Sequence, residues 1–186
     1  MASDPKRAAS PSELTGAWQA EARPTRWVTD SSLAFLARRL RLLGYDVLDL
    51  GGARLEEVLE VARREGRAVL TTSARHPRRF AAVPVRRVPR DAPTALRELT
   101  RAHAAAGPPF SRCAECNTPL QRRHPLEASG EVPGSVLRRA RTLSFCPGCG
   151  RWYWDGSHVA RLRRWLEDAL GTTLPSDRPD QASDAG

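Results

Sequence analysis

Two hydrophobic patterns alternate along residues 26–107. Short runs of apolar and β-branched residues, bounded by glycine, proline, aspartate or serine, predict β-strands. Four such runs occupy residues 27–29, 45–50, 67–72 and 83–88. The third run is apolar enough to be buried on both faces, which is typical of a strand in a parallel sheet.

Apolar residues spaced three or four apart predict helices between these runs. The predicted inner faces are Leu33, Leu36, Ala37, Leu40 and Leu43 in the first helix, Leu55, Val58, Leu59 and Ala62 in the second, and Leu96 and Leu99 in the third. Gly44 and Gly66 follow the first two helices, where a left-handed residue commonly ends a helix. Pro93 opens the third helix, which we expect to end near residues 105–107.

Strands and helices that alternate with short connections predict βαβ units and one small parallel sheet with flanking helices. Ligands of such sheets bind outside the carboxyl ends of the strands. The sequence places Asp30, Asp49 and residues 71–73 at those ends. We therefore expect the chemistry of this α/β domain, residues 25–107, at that edge of the sheet.

The remaining segments divide the chain further. Residues 1–24 and 172–186 are rich in proline, serine and small residues without periodicity, so we expect a disordered arm and a disordered tail. Pro108 and Pro109 form a linker to a second unit, residues 110–171. That unit ends in a predicted helix with Val159, Leu162 and Leu166 on one face.

Charge and composition narrow the class of protein. The chain of 186 residues has 30 lysines and arginines against 21 acidic residues, and Lys6 is its single lysine. This basic balance favours nucleic acid as the partner. No apolar run approaches 18 residues and no signal-like segment opens the chain, so we predict no membrane span and a cytoplasmic location.

The four cysteines form two Cys-x-x-Cys pairs, Cys113/Cys116 and Cys146/Cys149, separated by residues 117–145. Each pair lets two thiolates reach one tetrahedral ion from a tight turn, so the two pairs predict a closed structural Zn²⁺ site. Disulfides and free thiols are the alternatives, and structural disulfides are rare in a reducing compartment. The long separation predicts a loop or hairpin between the pairs, as in a zinc ribbon.

An aromatic strand, Trp152, Tyr153 and Trp154, follows the second cysteine pair. Such residues usually form the core of a small ribbon. Beside Arg151, an exposed ring could instead stack on a nucleic-acid base. The sequence leaves both roles open.

Several segments together carry a family resemblance. They are the Leu40–Asp46 run Leu-Arg-Leu-Leu-Gly-Tyr-Asp, Val69-Leu70-Thr71, Cys113-x-x-Cys116-Asn117, and Cys146-Pro-Gly-Cys149-Gly150 followed by Tyr153-Trp154 and Gly156-Ser157-His158. These residues resemble the C-terminal RNase domain of mutator-seven exonucleases, the Mut-seven-C family. The resemblance spans about residues 26–165.

The resemblance implies a PIN-like α/β domain fused to a zinc ribbon, with ribonuclease activity. In PIN-like nucleases, acidic side chains at the sheet edge bind Mg²⁺ or Mn²⁺, which activates water and stabilises charge on the phosphate. The acids that match here are Asp30, Asp46 and Asp91. These three are the predicted catalytic residues, and Asp49 is a further candidate.

The sequence departs from the family pattern at other expected acids. Ser31 stands where the family usually has an acidic residue after the first aspartate, and Ser73 replaces the aspartate of a Thr-Arg-Asp motif. Residues 53–55 are Ala-Arg-Leu where the family tends to have an aspartate. We therefore predict a depleted acidic metal site.

A run of arginines follows the third predicted strand. With Arg151, its members Arg75, Arg78, Arg79, Arg86 and Arg87 are the predicted nucleic-acid-binding residues. Guanidinium groups suit phosphate oxygens, although charged runs are often no more than a solvated surface.

The sequence thus predicts an RNA-binding protein of a ribonuclease family, stabilised by zinc. Two alternatives stay open: an active Mg²⁺- or Mn²⁺-dependent ribonuclease, and an adaptor whose ribbon binds a protein partner. The oligomeric state and the identity of the RNA are not predicted.

Overall fold

The computed structural model describes residues 25–175. The predicted disordered arm, residues 1–24, and residues 176–186 of the predicted tail lie outside the described residues. Residues 172–175 are described, and Leu174 packs against the main core. Within residues 25–175, the helices are too short or too polar to cross a membrane.

The first unit contains a four-stranded parallel sheet, as predicted. Its strands are β1 (Trp27–Thr29), β2 (Val47–Asp49), β3 (Ala68–Thr71) and β4 (Val85–Arg87). They lie in the order β2-β1-β3-β4, with Trp27 opposite both Val47 and Ala68. All four residues of β3 are buried, which agrees with its continuous apolar sequence.

Helix starts and ends follow the local signals in the sequence. The Asp30 carboxylate accepts the Ser32 N–H at 2.8 Å and caps a 3₁₀ turn, Ser31–Leu33, that leads into α1 (Ala34–Leu42). Helix α2 (Leu55–Glu65) ends at Gly66, which is left-handed at φ 62°.

Helix α3 (Ala92–Ala102) begins at Asp91, whose carboxylate accepts the Thr94 N–H at 2.9 Å. It ends earlier than the predicted 105–107. His103 is extended, and the Ala106 N–H donates to the Gly44 carbonyl at 3.1 Å. A side chain at Gly44, whose φ is 88°, would collide with the Gly107 carbonyl. The chain therefore leaves the helix to pack closely over the end of α1.

The second unit is a small antiparallel ribbon. Strands β5 (Gln121–Arg123), β6 (Leu143–Phe145) and β7 (Trp152–Tyr153) pair in that order. A 3₁₀ turn, Pro125–Ala128, and the single-turn helix α4 (Gly134–Leu137) connect β5 to β6. These elements form the predicted loop and hairpin between the cysteine pairs, around a minor core of Ala128, Val132 and Leu143.

The last helix, α5 (Ser157–Leu170), joins the two units. Its buried residues Leu166 and Ala169 belong to the same core as α1, α3 and one face of the sheet. Helix α2 covers the other face, with Val58, Leu59 and Ala62 buried. Helix α5 follows the ribbon in sequence, but its buried residues pack in the core of the first unit. The two predicted domains therefore share this core.

Candidate functional site

The two cysteine pairs lie on turns with the same backbone form. The Asn117 N–H donates to the Cys113 carbonyl at 3.0 Å, and the Gly150 N–H donates to the Cys146 carbonyl at 2.9 Å. Both residues that follow the pairs are left-handed, with φ 69° at Asn117 and 72° at Gly150. Each turn therefore presents its two sulfur atoms on one side.

The four sulfur atoms converge on one point between the turns. All lie within 4.8 Å of one another, with Sγ–Sγ distances of 3.6 Å for Cys113–Cys149 and 3.3 Å for Cys116–Cys146. Sulfur atoms around a tetrahedral Zn²⁺, at Zn–S of about 2.3 Å, are roughly 3.8 Å apart. The cysteine cluster therefore fits Zn²⁺, and such a closed four-thiolate site would contribute folding energy.

Charge in the cluster also favours a cation. Burial raises the pKa of the Cys116 thiol, but hydrogen bonds with Thr118 and the neighbouring thiols lower it to about 6. Burial and the hydrogen bond with Cys146 raise the pKa of Cys149 to about 12. Four thiolates so close together are stable only when a cation compensates their charge. The Tyr153 hydroxyl, 3.0 Å from Cys113 Sγ, is placed to donate to that thiolate.

Asp46 lies at the amino end of the strands and binds across to the ribbon. Its Oδ1 accepts hydrogen bonds from Arg67 and from the Asn117 side-chain amide, both at 2.7 Å, and Arg112 lies 3.8 Å from Oδ2. Burial alone would raise the pKa of this carboxyl. The bonds from Arg67 and Asn117 outweigh that effect and hold the pKa below its ordinary value.

Asn117 makes a further bond, because its Oδ1 accepts the Val47 N–H at 3.1 Å. Arg41 completes the connection between the units. Its Nε donates to the Val47 carbonyl at 2.8 Å, and its Nη1 donates to the carbonyls of Ala114 and Glu115 at 2.9 and 2.7 Å. Arg41 is only 3% exposed. The first cysteine turn is thus fixed to α1 and β2 by buried polar bonds.

The sequence did not reveal the roles of Arg41, Arg67 and Asn117. One signal was available for Asn117, since it follows a Cys-x-x-Cys pair at the position that Gly150 takes in the other pair. Arg41 and Arg67 carry no local signal, because their partners are far away in the sequence.

Asp30 and Asp49 lie at the opposite, carboxyl edge of the sheet. Asp30 follows β1 and Asp49 is the last residue of the neighbouring strand β2, where it pairs with Thr29. Asp49 Oδ1 accepts the Gly51 N–H at 2.9 Å, in the same manner as Asp30 accepts Ser32. Each carboxylate is half-buried and binds a backbone N–H two residues later.

The other predicted acid, Asp91, and the serine substitution Ser73 follow β4 and β3. Ser73 Oγ accepts the Arg75 N–H at 3.1 Å, and Asp91 is exposed at the start of α3. Strand β3 lies between β1 and β4, so it separates Asp91 from Asp30 across the sheet. The structure therefore does not bring Asp30, Asp46 and Asp91 together: Asp46 is at the other end of the strands.

Within residues 25–175, the cysteine cluster is the one group of three or more His, Cys, Asp or Glu side chains close enough to share an ion. The acids of the carboxyl edge do not form such a group.

Comparison with known proteins now places the chain. A model of the Mut7-C RNAse domain matches residues 25–166, which includes the parallel sheet, the cysteine cluster and most of α5. The chain belongs to the Mut7-C family. This confirms the family indicated by the sequence motifs.

A relative supports the same assignment. The human protein named "Exonuclease mut-7 homolog" is 42% identical over 64 residues. The aligned segment covers 31% of this chain but only 7% of that relative's length. No solved structure gives a significant match.

The predicted arginine surface of this Mut7-C domain is divided among several faces. Arg79 pairs with Glu56 of α2 at 2.6 Å, whereas Arg86 pairs with Glu98 of α3 at 3.5 Å. Helices α2 and α3 cover opposite faces of the sheet. Arg75, Arg78 and Arg87 are exposed, and their side chains form no hydrogen bond or ion pair among the described residues.

Arg151 belongs to a different surface, a cleft between α1, the ribbon and α5. The two tryptophans that follow it, Trp152 and Trp154, both pack against the minor core of the ribbon. Trp152 packs inside the ribbon, with its ring 4.8 Å from Phe145 and its Nε1 donating to Glu131 at 3.0 Å. Trp154 is half-buried and lines the cleft.

Proposed function

We propose that this chain is an RNA-binding member of the Mut7-C family, stabilised by a structural zinc ion, with a depleted catalytic metal site. The position of Asp46 carries the proposal. Its carboxylate binds Arg67 and Asn117 at the amino end of the strands. It is therefore unavailable to a metal ion at the carboxyl edge.

The composition of the carboxyl edge supports the same proposal. Mg²⁺ and Mn²⁺ prefer oxygen ligands and are held best where several carboxylates converge. Here Asp30 and Asp49 are the neighbouring acids, and Ser73 occupies the end of the central strand β3. Two carboxylates that already cap backbone N–H groups would hold a divalent ion weakly.

The basic surfaces support RNA as the partner. Arg75, Arg78 and Arg87 lie exposed after β3 and along β4, and Arg151 lies on the ribbon. A protein whose arginines contact phosphates binds with an affinity that falls as salt rises. The family match to an RNase domain points to RNA rather than another polyanion.

The second candidate is an active metal-dependent ribonuclease. The adjacency of Asp30 and Asp49 favours it, because the two acids lie at the carboxyl ends of the paired strands β1 and β2, where ligands of parallel sheets bind. Asp91 would be the third acid after a local rearrangement of the residues that follow β4.

The deciding experiment combines binding and cleavage on the full chain loaded with zinc. We expect fluorescence anisotropy to detect single-stranded RNA binding that weakens with salt, and gel assays with Mn²⁺ to detect no cleavage. The second candidate would be established if the wild type cleaved RNA and Asp30→Asn abolished that cleavage. The control Asp168→Asn, on the exposed side of α5, should then still cleave RNA. If the chain did not bind RNA, the remaining hypothesis would be an adaptor whose ribbon binds a protein partner.

A gain-of-function variant sharpens the test. Ser31→Asp combined with Ser73→Asp adds two carboxylates at the edge that holds Asp30. An aspartate at position 73 can still accept the Arg75 N–H that Ser73 Oγ accepts now. We expect this variant to bind Mn²⁺ more tightly than the wild type, as measured by isothermal titration. Equal affinity would indicate that depletion of acids is not what weakens the site.

A further inference from the structure

A wide concave surface among the described residues lies away from the carboxyl edge. It is a cleft of about 1110 Å³ between α1, the ribbon and the first turns of α5. Eight arginines line it, against the two acids Glu115 and Asp155. Such a concentration of one charge sign in a concave site attracts and retains a polyanion.

Several of these arginines form the fixed wall of the cleft. Arg38 pairs with Glu115 at 2.9 Å, which neutralises one of the two acids. The Arg163 guanidinium lies 4.7 Å from the Phe110 ring centroid and donates to the Pro175 carbonyl at 3.0 Å. These side chains have protein partners, so they shape the site more than they offer donors.

Three other arginines have a different status. Arg139, Arg141 and Arg151 are exposed, and their side chains make no hydrogen bond or ion pair with the described residues. Arg139 and Arg141 follow α4, and Arg151 precedes β7. Guanidinium groups in this state can bind phosphate oxygens without first breaking an existing ion pair.

The cleft also contains apolar and aromatic surface. Trp154 lines it together with Phe110, Val159 and Leu162. Guanidinium groups that contact a phosphate backbone beside a ring that stacks on bases are characteristic of single-strand binding. A ring inside a cleft reaches a base only when that base is unpaired, so duplex RNA fits this site poorly.

We propose that this cleft binds single-stranded RNA, with Arg139, Arg141 and Arg151 contacting phosphates and Trp154 stacking on a base. The inference rests on the proposed RNA-binding function and assigns it to a site away from the carboxyl edge. An RNA strand held there is gripped by residues of both units. The ribbon therefore acts as an RNA-binding element in addition to its structural role.

The test compares two charge-matched triple variants in the zinc-loaded full chain. Arg139→Gln/Arg141→Gln/Arg151→Gln removes the three cleft cations. Arg101→Gln/Arg161→Gln/Arg164→Gln removes three exposed arginines of α3 and α5 that do not line the cleft. Glutamine removes the charge but stays polar and has a helix propensity similar to that of arginine. Circular dichroism and zinc content verify that each variant is folded.

We expect the cleft variant to lose affinity for a single-stranded oligonucleotide by on the order of tenfold or more, and the control variant to lose about twofold or less. The slope of log affinity against log salt should fall by about 2 in the cleft variant, because each lost phosphate contact on a single strand contributes about 0.7. Trp154→Leu should weaken single-strand binding and leave the weaker duplex binding unchanged.

Equal losses in the two triple variants would overturn the inference, since net charge alone would then explain binding. The inference would also be overturned if the cleft variant kept its affinity for RNA while Arg75→Gln/Arg78→Gln/Arg87→Gln lost much of it. That result would place the RNA at the carboxyl edge. Both outcomes preserve the proposed function. A wild-type chain that does not bind RNA would instead refute the proposed function, and the cleft assignment with it.

Discussion

The two cysteine turns share a backbone but differ in one side chain. Each turn is followed by a left-handed residue, Asn117 in the first and Gly150 in the second. Gly150 is exposed, and a side chain built there would meet no other atom within 4 Å. Asn117 is 9% exposed, and its amide bonds to Asp46 and Val47. The second turn therefore contributes its two sulfur atoms to the cysteine cluster, while the first turn also attaches the ribbon to the sheet.

This difference explains why a residue with a side chain occupies a position that favours glycine. A left-handed backbone costs most residues about 1–2 kcal/mol, and asparagine is among the few that tolerate it. The Asn117 amide offsets that cost by satisfying the Val47 N–H and the Asp46 carboxylate, which are otherwise left without these partners. The position of the ribbon on the α/β unit is thereby fixed by the chain segment that also carries two cysteines of the cluster.

We expect the largest loss of stability from substitutions that destroy the metal site proposed for the two cysteine turns. Cys113→Ser and Cys149→Ser should each abolish zinc binding and unfold the ribbon, because structural zinc contributes on the order of 10 kcal/mol to small domains. Metal content measured by mass spectrometry, together with thermal unfolding, checks this expectation. Retention of stoichiometric zinc by Cys149→Ser would mean that the second turn is not required for the site.

The next effect breaks the attachment that distinguishes the first turn. Asp46→Ala leaves Arg67 and the Asn117 amide without their shared partner in a largely buried setting. We expect a loss of about 3 kcal/mol in the free energy of unfolding, measured by urea denaturation of the zinc-loaded chain.

Asp49→Ala is the matched control, because Asp46 precedes β2 and Asp49 ends the same strand, at the carboxyl edge of the sheet. It should cost about 1 kcal/mol, as expected for loss of one exposed turn bond to Gly51. A double-mutant cycle between Asp46→Ala and Asn117→Ala should give a clear coupling energy. Additive effects of the two changes would contradict the shared bond.

Substitutions at the two left-handed positions should have smaller effects on stability, and they distinguish the contribution of the backbone from that of the side chain. Asn117→Gly keeps the backbone form and loses only the amide bonds, so we expect a cost of about 1–2 kcal/mol. Asn117→Ala should cost about 1 kcal/mol more, because alanine also strains the left-handed backbone. Gly150→Asn should change stability by less than about 0.5 kcal/mol, as for a tolerated surface position. Equal costs at positions 117 and 150 would remove the distinction between the turns.

The smallest effect is the acid dependence of the Asp46 bonds. The pKa of Asp46 in the folded chain is held below its ordinary value of 3.8. Its contribution to stability is therefore complete above that value and is lost as the pH falls through the lowered pKa.

We expect the wild type to lose more unfolding free energy than Asp46→Asn as the pH falls below 3.8. Urea denaturation of both proteins over an acid pH series measures the difference. Metal content is measured at each pH, because loss of zinc would also separate Asn117 from Asp46. Parallel pH profiles would show that Asp46 is not ionised in a stabilising pair.

Local sequence predicted the elements of this fold well. The positions of Gly44 and Gly66 marked helix ends, and the apolar run at β3 proved to be buried. The alternation of strands and helices predicted the parallel sheet, and the spacing of the two Cys-x-x-Cys pairs predicted the cysteine cluster. These features depend on a few neighbouring residues, so a single stretch of sequence contains the information.

Local sequence patterns did not predict the role of Asp46. Its motif position matches the catalytic acids, but its carboxylate binds residues 21 and 71 positions away, Arg67 and Asn117. The arginine run of residues 75–87 looked continuous in sequence, yet Arg79 and Arg86 pair with helices on opposite faces of the sheet. A linear pattern does not say which end of a strand or which face of a sheet a side chain will meet.

The sequence by itself therefore indicated most elements of the α/β unit, the family and the four cysteines of the cluster, because these rest on periodicity and spacing within a few short segments. Only the tertiary structure decided that Asp46 attaches the ribbon instead of joining Asp30, and that Arg139, Arg141 and Arg151 face a common cleft. Those outcomes depend on how α5 returns to the first core and how the first cysteine turn docks on β2. Long-range packing sets both, and it leaves no periodic mark along the chain.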